Sequence, residues 1–381
     1  MESPINSNQT IIVDRCYLCD TPYQVFTCIH IELHEKHNAD IYILNSFSAA
    51  KNIVEVINNY TIFRKAFLIS DETICNNKTH KTKLRNHLNT IRQYLSVDKL
   101  FEANFEKNIE YNHIFFTCNH ICFRLFRFYH IKHKRRSVFH LYDEGIGSYD
   151  GHFENIKFYD RIIRNILFGK KASTMKYDIF LYKPELYYDY YKRKTCVHKI
   201  VPFDHIDFNH LPLFAEIFQV TNRPITKNVI FFDAVREEIF TNDWSLSKMA
   251  EWYSTIESYI GYDKMYLKSH PRAMDKYPHK CENYPSSKCP MEIEYLNMDM
   301  DNMVLITLAS TAVITPKLLY DKEPIVLLLC NIDNQVYKPN NNQLAFYKSI
   351  QSIYRDKTKI MIPKNEESMK ECLIKISKIL S

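Results

Sequence analysis

Strands and helices alternate along this 381-residue chain in two runs, separated by the polar, proline-containing stretch TNRPITKN (221–228). Alternation of this kind predicts an α/β chain with mainly parallel sheets, here two doubly wound domains. The length agrees, because 381 residues exceed what one hydrophobic core holds comfortably and divide naturally into domains of roughly 150–200. So does the composition: 46% hydrophobic and 25% charged residues describe a folded globular chain.

The first run opens with the strand IIVDRCYLCD (11–20), a turn at Thr21-Pro22 and a helix from Tyr23 to His37. Strand 39–45, helix 51–59, strand 63–69 and a helically spaced segment 80–95 follow. Then come strand 112–118, a basic helix over 119–135, and the strand SVFHLYD (137–143), while 177–202 closes the domain. The second run has strand 228–234, an amphipathic helix 246–260, and KMYLKSHPR (264–272), a strand running into a loop. MVLITLAS (303–310) and PIVLLLC (324–330) are buried strands with a helix between them, and 365–380 is a final helix. The domains are drawn as 1–205 and 206–365, with a C-terminal helix over 366–381. Open α/β sheets bind ligands beyond the carboxyl ends of their strands, so two Rossmann-like domains should face a central cleft.

Several classes are excluded or set aside. No G-x-G-x-x-G and no G-x-x-x-x-G-K-[ST] occurs, which removes the usual dinucleotide and P-loop signatures. No span reaches the ~18 apolar residues of a membrane helix, and MESPINSNQT has no signal-peptide core. Eleven cysteines scattered through hydrophobic runs read as free, buried thiols in a reducing compartment. Cys16-x-x-Cys19 and the Cys118/His120/Cys122 group read the same way rather than as metal sites. The net charge of +6 gathers in Arg124, Arg127, Lys132, Lys134, Arg135 and Arg136, interleaved with Phe123, Phe126, Phe128 and Tyr129. That stretch suits a nucleic acid, an anionic membrane or an anionic substrate, or is a helix with a solvated basic face.

Glycine is the sharpest signal. The chain has five, and Gly145, Gly147 and Gly151 fall within HLYDEGIGSYDG (140–151), directly after two acids. Glycine serves where the backbone needs positive φ or close approach to a ligand. Asp143 and Glu144 end a strand, and a carboxylate there can take a proton from an attacking hydroxyl; the alternative is that the acids cap and the glycines turn. A second strand-end loop is Lys268-Ser269-His270-Pro271-Arg272, where proline holds His270 extended beside a guanidinium suited to a phosphate leaving group. A third is Leu308-Ala309-Ser310-Thr311-Ala312, a phosphate site at a helix start or a plain N-cap.

The order acid-acid-Gly, His-Pro, Ser-Thr resembles the bacterial GT-B sialyltransferases, which carry D/E-D/E-G, HP and S-S/T motifs in that order. Asp143-Glu144-Gly145, His270-Pro271 and Ser310-Thr311 are the matching residues, and Thr21-Pro22-Tyr23-Gln24 is similar to the start of the lipooligosaccharide sialyltransferases, glycosyltransferase family 52. The likeness spans about residues 11–330. It implies a GT-B-like fold and inverting, metal-independent transfer of sialic acid from CMP-sialic acid to a sugar hydroxyl of a lipooligosaccharide or capsule. Glu144 with Asp143 would be the base; His270 would assist the departing phosphate, and Ser310, Thr311, Lys268, Pro271 and Arg272 would bind the donor. Gly145, Thr21 and Gln24 would line the acceptor side. No cofactor beyond the donor substrate and no metal ligand is implied; Asp299 and Asp301 form a D-x-D by chance. Asp233, Glu237 and Asp243 also follow a strand, so the base is Glu144 or a second-domain acid. Expected partners are the nucleotide-sugar donor, a glycan acceptor and an anionic membrane surface on the cytoplasmic side, without nucleic acid. The rival readings are a polysialyltransferase or other capsule or lipopolysaccharide glycosyltransferase, and a basic nucleic-acid-binding protein.

Overall fold

The computed structural model describes residues 10–70, 91–117, 120–149, 158–169, 177–187, 196–203, 208–220, 224–233, 243–269, 279–285, 289–339 and 341–381. The chain forms two compact units, Met1–Phe218 and Gln219–Ser381. Helix Leu211–Ile217 therefore stays with the first unit, where Tyr60 donates a hydrogen bond to Glu216, although the sequence boundary at 205/206 gave it to the second. The division falls beside the polar stretch that separates the two runs.

The first unit is built on a seven-stranded sheet in the order β3-β2-β1-β4-β5-β6-β7, with every neighbouring pair parallel. The strands are β1 (Ile11–Cys19), β2 (Ala39–Leu44), β3 (Lys65–Ile69), β4 (Ile109–Phe116), β5 (Val138–Tyr142), β6 (Asp178–Leu181) and β7 (Val197–Lys199). All six residues of β2 and the last four of β1 are buried, the burial expected of strands covered on both faces. After β1 the chain turns at Thr21. Its hydroxyl caps the helix Pro22–Glu35 by accepting the Gln24 N–H at 3.3 Å, and Pro22 occupies the first turn, where its missing N–H costs nothing. Cys16 and Cys19 lie buried within β1.

The basic helix Ile121–Lys132 is buried along most of its length. Phe123, Phe126, Phe128 and Tyr129 are buried, and Arg127, only 3% exposed, lies over the rings of Phe116, Phe128 and Tyr177 and donates to the Tyr177 hydroxyl at 2.6 Å. Beyond the helix, Arg135 bonds the carbonyls of Ile109 and Lys107, while Lys132 and His133 pair with Asp98. Apolar residues cover more than one side of the helix, and the exposed basic residues of the stretch, Lys132, Lys134 and Arg136, lie at its C-terminal end and beyond.

The second unit has a six-stranded parallel sheet, β10-β9-β8-β11-β12-β13. These are β8 (Val229–Phe232), β9 (Met265–Lys268), β10 (Glu282–Asn283), β11 (Val304–Thr307), β12 (Ile325–Leu328) and β13 (Ile360–Met361). Both sheets run outward from a first strand, return, and continue on its other side, which is the doubly wound order and the α/β class expected. The C-terminal helix Glu366–Leu380 belongs to this unit. It buries Met369, Leu373 and Ile376 in the same core as Met249, Trp252 and Tyr253 of helix Asp243–Ile260, and Trp252 Nε1 donates to Glu366 at 3.0 Å. Ahead of β12, Glu323 accepts from Lys317 at 2.6 Å and from the Arg355 N–H at 2.9 Å. Burial pushes its carboxyl up, but these donors outweigh burial and hold it at about 2.

Candidate active site

In the first unit the winding reverses between β1 and β4, and the loops after β1, β4 and β5 leave the sheet at that edge. This is where a doubly wound sheet holds its ligand, because the diverging loops open a crevice. Asp143 and Glu144 follow β5, Thr117 follows β4, and Asp20 to Gln24 follow β1.

The two acids occupy different environments. Asp143 is fully buried: Oδ1 accepts the Gly145 N–H at 2.8 Å and faces the Tyr23 hydroxyl at 3.5 Å. Its Oδ2 accepts the Tyr149 hydroxyl and, at 3.3 Å, the Tyr182 N–H. Burial pushes this carboxyl up to about 6 against those donors. Glu144 is half-buried, and its Oε2 accepts from Gln24 Nε2 at 3.3 Å. Burial lifts Glu144 to about 7; the carboxylates of Asp20 and Asp143 push the same way, against Thr117 and Gln24. A carboxylate titrating near neutrality is well matched to general-base work at physiological pH.

Gly145 has φ +101°, a conformation that excludes a β-branched residue and turns the chain sharply after the acids. Ser148 then closes the turn. Its Oγ accepts the Glu144 N–H at 2.8 Å, and its own N–H reaches the Gly145 carbonyl at 3.0 Å. Asp143, Glu144, Gly145, Thr21 and Gln24, expected from sequence to act on one side, are thus brought together. Tyr149, Tyr182, Ser148 and Thr117 were missed. Thr117 and Ser148 carry a positional signal, directly after a strand and within the glycine stretch, but nothing in the sequence marks a tyrosine at 182 as a partner of Asp143.

In the second unit the reversal lies between β8 and β11, and Asp233, Lys268 and Ser310 follow or end strands there. The Asp233 N–H donates to the Lys268 carbonyl at 2.9 Å. Thr307, the last residue of β11, ties the edge by donating to the Phe232 carbonyl at 3.1 Å and accepting the Ser310 N–H at 3.0 Å. The Ser310 hydroxyl caps the short turn beginning at Thr311, accepting the Ala312 N–H at 3.3 Å. Lys268 lies over the Tyr284 ring at 4.7 Å, and burial lowers its ammonium against the pull of Glu294. Glu292, unmarked in the sequence, is buried beside Lys268 and Thr315, and burial pushes it up to about 7. His270, Pro271, Arg272 and Glu237 lie outside the described residues, and Asp243 is the first residue of its helix. Asp301 accepts the Glu323 N–H at 2.8 Å and Asp299 accepts from Asn302 at 2.7 Å, so both acids of the D-x-D have structural partners. A cavity of about 1430 Å³ in this unit includes both and lies at the N-terminal ends of β11 and β12, beside Val304 and Ile325.

No family model and no curated protein matches this chain. Similar solved structures include the glycosyltransferase of kitacinnamycin, at 8% identity over 96% of this chain and 91% of that one, with a TM-score of 0.49. UDP-GlcNAc 2-epimerase of Methanocaldococcus jannaschii, bound to UDP-GlcNAc and UDP, is similar at 11% identity over 96% and 92%, with 0.45. The glycosyltransferase SnogD of Streptomyces nogalater is similar at 7% identity over 97% and 92%, also with 0.45.

Proposed function

We propose that the protein is a GT-B glycosyltransferase that moves sialic acid from CMP-sialic acid to a hydroxyl of a cell-surface glycan, with inversion and without a metal. The observation that carries this reading is Glu144. It is a half-buried carboxylate at the switch-point edge, held by Gln24 and lifted toward neutrality beside a fully buried Asp143. In the reaction Glu144 takes the proton of the acceptor hydroxyl as its oxygen bonds to the anomeric carbon of the donor. The bond from that carbon to the phosphate oxygen breaks with its electron pair, and CMP departs. His270 and Arg272 supply a proton or hydrogen bond and positive charge to the phosphate, and Ser310, Thr311 and Lys268 hold it. Asp143, saturated with donors, shapes the turn rather than exchanging protons with substrate. The motif order along the chain and the doubly wound fold support the same reading. The burial of Arg127 leaves fewer cations in the basic stretch for a polyanionic acceptor or nucleic acid to meet.

The test is a donor screen: the protein is incubated with CMP-sialic acid and a panel of UDP- and GDP-sugars, and released nucleotide is measured by mass spectrometry. Slow CMP release without acceptor, accelerated by a glycan acceptor, is expected. Release from a UDP-sugar alone, or from none of the panel, overturns the CMP-sialic acid assignment.

A further inference from the structure

The two oxygens of Glu144 are treated differently by their surroundings. Oε2 accepts from Gln24 Nε2 at 3.3 Å. The orientation of that amide is settled by its other end, because Gln24 Oε1 accepts the Asp20 N–H at 2.7 Å and a backbone N–H can only donate. Gln24 is 2% exposed, and its own N–H is tied to the Thr21 cap. One side chain therefore links the end of β1 to the acid at the end of β5.

Oε1 faces Gly147. This glycine sits in the helical turn Ile146–Tyr149 and, unlike Gly145, has no positive φ, so its backbone does not call for glycine. Glycine in a helix costs roughly 1 kcal/mol relative to alanine. What an alanine would meet is Glu144 itself: its Cβ would stand 3.2 Å from Oε1. We propose that Gln24 and Gly147 are positioning residues that orient Glu144, Gln24 by holding Oε2 and Gly147 by leaving Oε1 room to meet an acceptor hydroxyl. The proposal rests on the reading of Glu144 as the base.

The groups facing this carboxylate are Asp20 from the β1 loop, Asp143 from its own, Thr117 from the β4 loop and Gln24 from the helix. Among them the Gln24 amide is a donor that favours the charged form, so its replacement has a defined sign. In the full-length protein, Gln24→Glu keeps the shape and substitutes an acceptor for the donor, and Gln24→Met keeps the length and removes both. The Glu144 titration is read by isotope-edited infrared difference spectra against Glu144→Gln, with no substrate present. Gln24→Glu should raise the midpoint by about one pH unit or more, and Gln24→Met by less. The acid limb of transfer should move up with it. Gly147→Ala should melt no lower than wild type yet lower kcat by about ten- to a hundredfold at unchanged donor KM, the scale of a misplaced catalytic group. An unmoved midpoint in a folded Gln24→Glu protein overturns the role of Gln24, and full-rate transfer by Gly147→Ala overturns that of Gly147. Shifted midpoints in a protein that transfers no sugar count against the proposed function and leave the positioning of Glu144 standing.

Discussion

The loop after β5 and the loop after β11 both leave the carboxyl ends of their sheets, β11 next to the point where the winding reverses and β5 one strand beyond it, and they are made of opposite materials. The first presents two carboxylates, both pushed up by burial, on a turn braced by Tyr149, Tyr182 and Ser148. The second carries the hydroxyls of Ser310 and Thr311 on a capped turn, with a carboxylate, Glu292, buried against Thr315 and Lys268. A sheet edge that carries exchangeable protons suits bond making; one that carries neutral donors and a lysine suits holding an anion. On the proposed function, one topology would serve two tasks because the side chains differ.

The widest separation between the loops should come from Glu144→Gln. It is expected to lower transfer by ~10²–10⁴, the usual worth of a general base, and to leave CMP affinity unchanged. Initial rates and calorimetry on one preparation measure both, with Asp233→Asn and Asp243→Asn alongside. Full transfer by Glu144→Gln would move the base to the second unit and dissolve the contrast. Next in size, Ser310→Ala with Thr311→Ala should weaken CMP binding by ~1–3 kcal/mol, the scale for hydrogen bonds to a charged group. Calorimetric titration that finds CMP affinity untouched would place the anion elsewhere.

Asp143→Asn sharpens the contrast within one loop. The amide sets an NH₂ against hydroxyl and N–H donors, and we expect a loss of ~1–3 kcal/mol in chemical denaturation. Glu144→Gln should behave oppositely, with a pH dependence of definite sign. The folded carboxyl titrates near 7 and the unfolded one near 4.5, so its penalty is absent below about 4.5, grows between the two values, and is complete above 7. Glu144→Gln should therefore melt higher than wild type at pH 8 and alike at pH 4.5. Equal melting at both values would mean that the charge is not buried at a cost. The same linkage runs with the opposite sign at the second unit's anchor. Glu323 titrates near 2 when folded, so the stability it adds is present above about 4.5 and fades as the pH falls toward 2, and Glu323→Gln should flatten that acid limb.

Much of this was readable from the chain. Alternation of strand and helix located both sheets, and the acid-acid-Gly end of β5 stood out because glycine is so scarce. The same scarcity hid a distinction, since Gly145 answers to its backbone and Gly147 to the space beside a carboxylate, which only coordinates separate. The short strand β6 and the edge strands β7, β10 and β13, of two to four residues, were too short for a period to register. The partners of Asp143 were out of reach for another reason: Tyr182 arrives from the end of the neighbouring strand β6, and sheet pairing brings it there rather than sequence proximity. In the basic helix, the interleaved Phe123, Phe126 and Phe128 are buried and take Arg127 into the core with them, which a count of charge does not show.

Arg127 and Arg164, 3% and 2% exposed, bear on how the whole molecule looks from outside. A guanidinium stays ionised at any physiological pH, so both enter the formal charge of +6 in full. Yet both pack against aromatic rings and are all but closed to direct contact with an ion or polymer in solvent. The two guanidinium groups therefore add to the net charge that acts at a distance but not to the ion pairs a polyanion can form at the surface, and a tally of residues overstates the number of those contacts.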